Sequence, residues 1–221
     1  MSKDNVIAFI HAKGHSKRVK NKNLKKLKNR PLIYYAIKKA IKCKLIDKVV
    51  IDSDSQKILD YGESLGAIPI KRPKRLANNK VGGDDLAVYQ ASLFPSSKIC
   101  LQLVPTSPLI KIKTIEECIR AVQSNYDSAI TVFSDSFYEW KNKRPIYYIK
   151  GRLPNGIELP KKIFETTGLY VNKTISILKL KRRFNYKSCF LKKVKKIETI
   201  DLNTYDDFDF AESIKKNDYN N

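Results

Sequence analysis

From Asn5 to Ser134 the chain alternates short apolar runs with helical patterns, and this alternation constrains its fold more than any other feature. NVIAFIH (Asn5–His11) is a near-continuous apolar run of the kind buried on both faces of a parallel sheet. RPLIYYAIKKAIKC follows, with Leu32, Tyr35, Ala36, Ile37, Ala40 and Ile41 at helical spacing behind Pro31. DKVVIDSD reads as a second strand, with Ser53 or Asp54 placed to cap the helix SQKILDYGESLG, which Gly66 ends. AIPIKRP makes a short third strand, GDDLAVYQASLF a helix opened by acidic residues, and KICLQLVPTSPL a fourth strand running into a turn. Thr114 with Glu117 forms a capping-box signature for the helix TIEECIRAVQS, and DSAITVFS is a fifth strand. This order predicts an α/β fold: a doubly wound, mostly parallel twisted sheet flanked by helices, Rossmann-like in plan.

Past Ser136 the pattern changes. Phe137 to Pro160 holds hairpin-like runs, aromatics and turn residues with no helical period. It is expected to be a small β-rich excursion from one domain spanning 1–221, serving as a flap, lid or oligomer contact. ETTGLYVN and LKKVKKIETIDLNT read as late strands, Thr204 with Asp207 as the cap of the helix YDDFDFAESIKKN, and NDYNN as a frayed end.

With 221 residues and 42% hydrophobic content the chain can bury one principal core. Its four cysteines, Cys43, Cys100, Cys118 and Cys189, lie far apart with no C-x-x-C pair, as reduced thiols of a cytoplasmic protein would. No apolar run approaches the roughly 18 residues of a membrane-spanning helix, and no apolar leader precedes a cleavage site. The 44 Lys and Arg against 22 Asp and Glu give a net charge of +22, which suits nucleic acid, an anionic surface or a phosphorylated small molecule. The lysines are spread through every segment, as solvated faces would be, so nucleic acid is not the expected partner.

One cluster stands apart. AKGHSKRVKNKN (Ala12–Asn23) follows the first strand, at the carboxyl edge where open α/β sheets bind ligands. Backbone N–H groups of a Gly-containing loop, with lysine charges beside them, suit a polyphosphate; an exposed basic loop without a ligand is the alternative. The stretch matches neither G-x-x-x-x-G-K-[ST] nor G-x-G-x-x-G. With only His11 and His15 and no cysteine pair, zinc is not expected. Asp52 and Asp54, at a strand end before a helix, read as caps.

The same stretch resembles the cytidylyltransferases that activate acidic sugars as CMP conjugates, whose opening pattern A-R-x-x-S-K-x-x-x-x-K-N is matched at Ala12, Ser16, Lys17, Lys22 and Asn23. RPLIYYAI, VVIDSDSQKI, RPKRLANN, PTSPL and IDLNTYDDFDFAE resemble further motifs of that family in the same order, from about Val6 to Glu212. The resemblance implies a nucleotidyltransferase fold and attack of a sugar's anomeric hydroxyl on the α-phosphate of CTP, with release of pyrophosphate. It implies catalytic roles for Lys13, Lys22 and Asp201. Nucleotide contacts would come from Ala12, Lys13, Gly14, Ser16, Lys17, Lys22, Asn23, Gly83 and Gln102. Mg²⁺ would be held by Asp201 with Asn203, and the acidic sugar (sialic, legionaminic or pseudaminic type) would lie near Lys141, Glu165 and Thr167. The family also implies a homodimer formed through the 137–160 excursion.

Four positions depart from the family pattern. Lys13 stands for an arginine and loses its bidentate fork. Val104 stands for a glutamine beside the base, with Gln102 two residues back on the same strand face. Asn203 stands for the second carboxylate of D-x-D, and Glu165 for an arginine suited to a sugar carboxylate; Lys141, Lys161 and Lys162 are the other cations of that region. These departures keep open a phosphonate or sugar-phosphate acceptor, or a nucleotide- or nucleic-acid-binding homologue without transfer activity.

Overall fold

Alternate residues of the first strand, β1 (Val6–Ala12), belong to two different cores, which is the signature of a sheet covered on both faces. Val6, Ala8, Ile10 and Ala12 pack with helix α1 (Leu32–Lys42), while Ile7 and Phe9 pack on the opposite side. The computed structural model describes residues 5–78, 80–147, 152–214 and 216–219.

The chain continues through β2 (Lys48–Ser53), α2 (Gln56–Ser64), β3 (Ile68–Lys71), α3 (Gly83–Leu93), β4 (Ile99–Leu103), α4 (Ile112–Ser124) and β5 (Ser128–Asp135). It then enters β6 (Lys162–Lys173), α5 (Thr174–Leu180), β7 (Cys189–Lys193) and α6 (Tyr205–Ser213). The seven strands lie in the order β7-β5-β6-β4-β1-β2-β3. All neighbours are parallel except β6, which runs antiparallel to both β4 and β5. The exception follows from connectivity: no α-helix intervenes between β5 and β6 among the described residues, and the chain returns alongside β5 in the opposite direction. Side chains of α1, α2 and α4 share one core with the sheet, and those of α3 and α5 share the other. The expected doubly wound, mostly parallel sheet is therefore present.

A third core explains how distant segments reach the carboxyl edge. Val19 of the basic loop packs with Leu27, Leu32 and Tyr35, with Leu109 beyond β4, and with Leu202, Phe208 and Tyr219 near the end of the chain. All are under 5% exposed, so burial of their apolar surface ties the loop to the C-terminal segment.

Several local expectations are corrected. Ile41 is 40% exposed, and Ile33 is buried on α1 instead. Neither Ser53 nor Asp54 caps α2: Ser53 Oγ accepts from the Ser55 N–H at 3.0 Å, and Asp54 is drawn to the basic loop. Thr114 and Glu117 form no capping box, because α4 starts earlier, at Ile112; Thr114 donates to Glu198 and Glu117 pairs with Lys192. The last strand ends at Lys193, and Lys196–Thr199 is a 3₁₀ turn rather than more strand. Helix α5 has no counterpart among the sequence-based elements. Tyr219, within the supposedly frayed end, is buried, and its hydroxyl donates to the Ala211 carbonyl at 2.5 Å; Asn220 and Asn221 lie outside the described residues. The Thr204–Asp207 capping box of α6 is present as expected. The excursion contains a two-stranded hairpin, Trp140–Lys141 with Arg144–Pro145, and a 3₁₀ turn at Gly156–Glu158; residues 148–151 lie outside the described ones. All four cysteines are free thiols.

Candidate active site

The basic loop is held at both ends and across its middle. The Gly14 N–H donates to Asp54 Oδ1 at 2.8 Å, so a carboxylate at the end of β2 fixes the loop's first turn. Asn23, buried, donates from Nδ2 to the Lys13 carbonyl at 2.9 Å and closes the loop on itself. Lys13 Nζ reaches the Asn78 carbonyl at 2.8 Å. The turn carrying Lys22 begins at Asn21, whose backbone is left-handed at φ 51° and whose carbonyl accepts from the N–H groups of Leu24 and Lys25. Ser16 is half-buried and Lys17 exposed on the outer arc of the loop.

From this turn Lys22 Nζ donates to the Leu202 carbonyl at 2.9 Å and to Asn203 Oδ1 at 3.1 Å. Arg18 Nη2 donates to the same Asn203 oxygen at 2.7 Å, and Asn203 Nδ2 donates to Asp201 Oδ2 at 2.5 Å. Lys22, Asp201 and Asn203 are thus brought together, with Arg18 added to them. Burial depresses the Lys22 ammonium below its ordinary range, while the Asp201 carboxylate opposes the shift. Lys13 is likewise held down, first by burial and then by the Arg72 guanidinium.

Four buried side-chain atoms among the described residues lack a hydrogen-bond partner: His11 Nδ1, Gln102 Oε1, Ser107 Oγ and Asp201 Oδ1. All four lie at the ends of β1 and β4 or in the segments around them. Burying an unpaired polar atom costs about 1–3 kcal/mol, and each such atom calls for an explanation, of which a ligand, ion or water that pairs with it is one. The Asp201 oxygen fits a hard cation. Asn203 does not, because its only side-chain oxygen already serves Lys22 and Arg18 and its amide N–H points at Asp201. No group of three or more His, Cys, Asp or Glu side chains suited to a metal occurs among the described residues.

Beneath the loop lies a buried polar chain. Arg72 pairs with Asp52 at 2.9 Å through Nε, Gln90 Nε2 donates to Asp52 Oδ2 at 2.8 Å, and Gln102 Nε2 donates to Gln90 Oε1 at 2.8 Å. Asp52 is therefore a buried ion-pair partner, not a cap, and Gln102 belongs to this chain. Burial, with the charges of Arg72, Arg183 and Lys13, pushes the His11 imidazole down to about 3 and keeps it neutral.

On the other flank, Arg183 lies over the Tyr170 ring at 3.8 Å and against Gly83, where any Cβ would fall 2.2 Å from its Nη1. The helix start at Gly83 is thus covered by a guanidinium, which would have to swing aside to admit a side chain there. Tyr170 donates its hydroxyl to Glu165. Strand β6 shifts register between Glu165 and Tyr170, where exposed Thr167 adopts φ 58°. Lys162 pairs with Glu139, Lys161 is exposed, and Lys141 stands exposed on the hairpin opposite Arg144.

Arg18, Arg72 and Arg183 carry no role in the sequence reading, although Arg72 opens the RPKRLANN motif. Arg18 is hidden among lysines of the loop and Arg183 follows the unrecognised α5. Arg72 directly follows a strand on the carboxyl edge, a position that could have marked it.

A family model described as "Cytidylyltransferase" matches residues 7–151. The chain is 30% identical over 129 residues to an N-acylneuraminate cytidylyltransferase of Escherichia coli O18:K1:H7, covering 58% of this chain and 31% of that one. It is 25% identical over 147 residues to a pseudaminic acid cytidylyltransferase of Campylobacter jejuni, covering 64% and 62%. A CMP-N,N'-diacetyllegionaminic acid synthase of Legionella pneumophila is 29% identical over 134 residues, covering 58% and 57%. The chain therefore spans less than two thirds of the length of each of these relatives. In fold it is similar to a CMP:2-keto-3-deoxy-manno-octonic acid synthetase solved with CTP, with TM-score 0.70 and 13% identity over 95% of this chain and 97% of that one. About two thirds of the sequence under one family model, on a sheet whose basic loop meets Asn203 at the carboxyl edge, mean that this chain belongs to the cytidylyltransferase family.

Proposed function

We propose that the protein transfers CMP from CTP to the anomeric hydroxyl of an acidic sugar of the sialic, legionaminic or pseudaminic type, releasing pyrophosphate. The observation that carries this reading is the meeting of Lys22 and Arg18 with the Asp201–Asn203 segment at the carboxyl edge, beside an unpartnered Asp201 oxygen. In the reaction a sugar oxygen bonds to the α-phosphorus and the bond from that phosphorus to the bridging oxygen breaks. Negative charge grows on the departing pyrophosphate, and cations fixed in place beforehand stabilise that charge more than the ground state. Lys22 and Arg18 supply such cations, and Lys13 with the loop N–H groups holds the phosphates. Asp201 is the residue that would hold Mg²⁺, with phosphate oxygens completing its shell; Mg²⁺ bound there would neutralise phosphate charge.

Two further elements belong to the same reading. Large apolar side chains stand exposed along the excursion and the start of β6, including Trp140 at 64% and Ile157 at 95%, as a contact between two copies would use them. No helix among the described residues is long and apolar enough to cross a membrane, and a cytoplasmic homodimer is the assembly proposed.

The test is pyrophosphate release by purified protein with Mg²⁺, running CTP, UTP, GTP and ATP against sialic, legionaminic and pseudaminic acids. Release with CTP and one acid supports the reading and names the sugar. A folded sample silent with every pair refutes it.

A further inference from the structure

We propose that Lys39, a lysine buried in α1 at 3% exposure, is a positioning residue that holds the loop after β4 and, through it, the Asp201 segment. Its Nζ donates to the Pro108 carbonyl at 2.6 Å and to the Ile110 carbonyl at 2.8 Å. An ammonium group is expensive to bury, so two carbonyls that accept from one mark a loop whose path depends on it.

That loop touches three segments that border the site. The Leu202 N–H donates to the Thr106 carbonyl at 2.8 Å, placing Asp201 one residue away. The Val104 N–H donates to the Gly168 carbonyl at 2.9 Å, and the loop presses so closely on β6 that a Cβ at Gly168 would lie 2.4 Å from Ile110 and 2.8 Å from Ser107. Leu109 packs with Val19 beneath the basic loop. The loop's exit is held by a second buried charge, Glu198 at 4% exposure, whose Oε2 accepts from the Lys111 N–H at 3.1 Å and from the Thr114 hydroxyl at 2.6 Å. Glu198 precedes Asp201 by three residues. The two buried charges hold adjoining parts of the loop's second half, Lys39 at Pro108 and Ile110 and Glu198 at Lys111, and Glu198 partly offsets the burial that pushes Lys39 down to about 7.

The role rests on the proposed transfer reaction, but one of its readouts does not. Lys39→Met keeps the volume and removes a buried charge, but it leaves both carbonyls unpaired and the buried Glu198 without that cation, so some loss of stability is expected with it. Native-state hydrogen exchange at the amides of Ser107 and Leu202, measured beside the thermal midpoint, reads the loop directly. Exchange at both is expected to quicken about tenfold or more relative to amides of β1, with kcat for pyrophosphate release down about 10–100-fold and KM for CTP changed less than about threefold. Lys39→Gln, which keeps one donor group, should fall between Met and wild type, and is read alone if the Met variant does not fold. Unchanged exchange at Ser107 and Leu202 overturns the proposal. So does faster exchange with an unchanged kcat. If the wild type releases no pyrophosphate, the transfer reading fails, and exchange alone decides whether Lys39 holds the loop.

Discussion

Lys22 and Asn203, 181 positions apart in the chain, meet at 3.1 Å, and the same asparagine hands the contact on to Asp201. Its oxygen accepts from two cations and its amide nitrogen donates to a carboxylate, so a neutral side chain bridges groups of opposite charge. An aspartate at this position would pair with Lys22 and Arg18 but would face Asp201 with like charge. The asparagine thus trades metal-binding capacity for a tie between the basic loop and the C-terminal segment.

Lys22→Ala should lower kcat for pyrophosphate release by about 10²–10³-fold, the cost of removing one group aimed at developing charge. Lys22 is half-exposed, so the unfolding free energy should change far less. Initial rates compared with urea denaturation separate the two effects, and wild-type turnover in the variant would remove Lys22 from the chemistry.

Asp201→Asn keeps the shape of the bridge and removes the carboxylate that fits a metal. The Mg²⁺ concentration giving half-maximal rate should rise more than about tenfold, as loss of a charged oxygen ligand from a hard-ion site implies. A chelator should silence the wild type and added Mg²⁺ restore it. An unchanged Mg²⁺ titration in the variant would exclude Asp201 from holding the metal.

Asp54→Ala frees the Gly14 N–H from its anchor at the end of β2. The expected result is a rise of about tenfold in KM for CTP, with a stability loss of about 1–2 kcal/mol for the lost charged acceptor. Equal KM values would show that the loop keeps its shape without the anchor.

Gly168→Ala places a methyl group 2.4 Å from Ile110 and 2.8 Å from Ser107, where β6 and the loop after β4 are in contact. Overpacking of this sort costs about 1–3 kcal/mol. A urea midpoint equal to the wild type would mean that the loop shifts freely.

The His11 imidazole is held down to about 3 in the folded protein against 6.5 ordinarily, so between those pH values the unfolded chain binds more protons. Stability from this group is fully present above about pH 6.5 and is lost as the pH falls toward 3. His11→Gln should flatten that acid limb. Denaturation midpoints of the two proteins from pH 4 to 7 test it: parallel curves would mean that His11 titrates normally in the folded state.

The sheet was legible because burial on both faces leaves a mark that needs no partner to read: VIAFIHA is apolar at nearly every position, and helices such as α1 repeat their buried residues every three or four. The basic loop was legible as a loop for the same local reason, since glycine, asparagine and lysines end an apolar strand. Helix α5 was missed because TISILKL is seven residues long and its apolar residues do not share one buried side: Ile175 and Leu180 are exposed while Ile177 is buried. The capping boxes divide on the same principle. Thr204 with Asp207 is a contact within four residues and was foreseen, whereas the Thr114 hydroxyl is claimed by Glu198 from 84 positions away.

The layers of the fold, the charge of the loop and the residue types near the ligand edge are written locally in the chain, because strand, helix and turn preferences act over a few neighbouring residues. Which of those residues meet is set by long-range packing. Burial of Val19 with Leu202 brings Lys22 to Asn203, the approach of Ser107 to Gly168 sets the loop after β4, and Lys39 and Glu198 hold its second half. Contacts of that kind rest on packing between segments far apart in the chain, and no local pattern of residues records them.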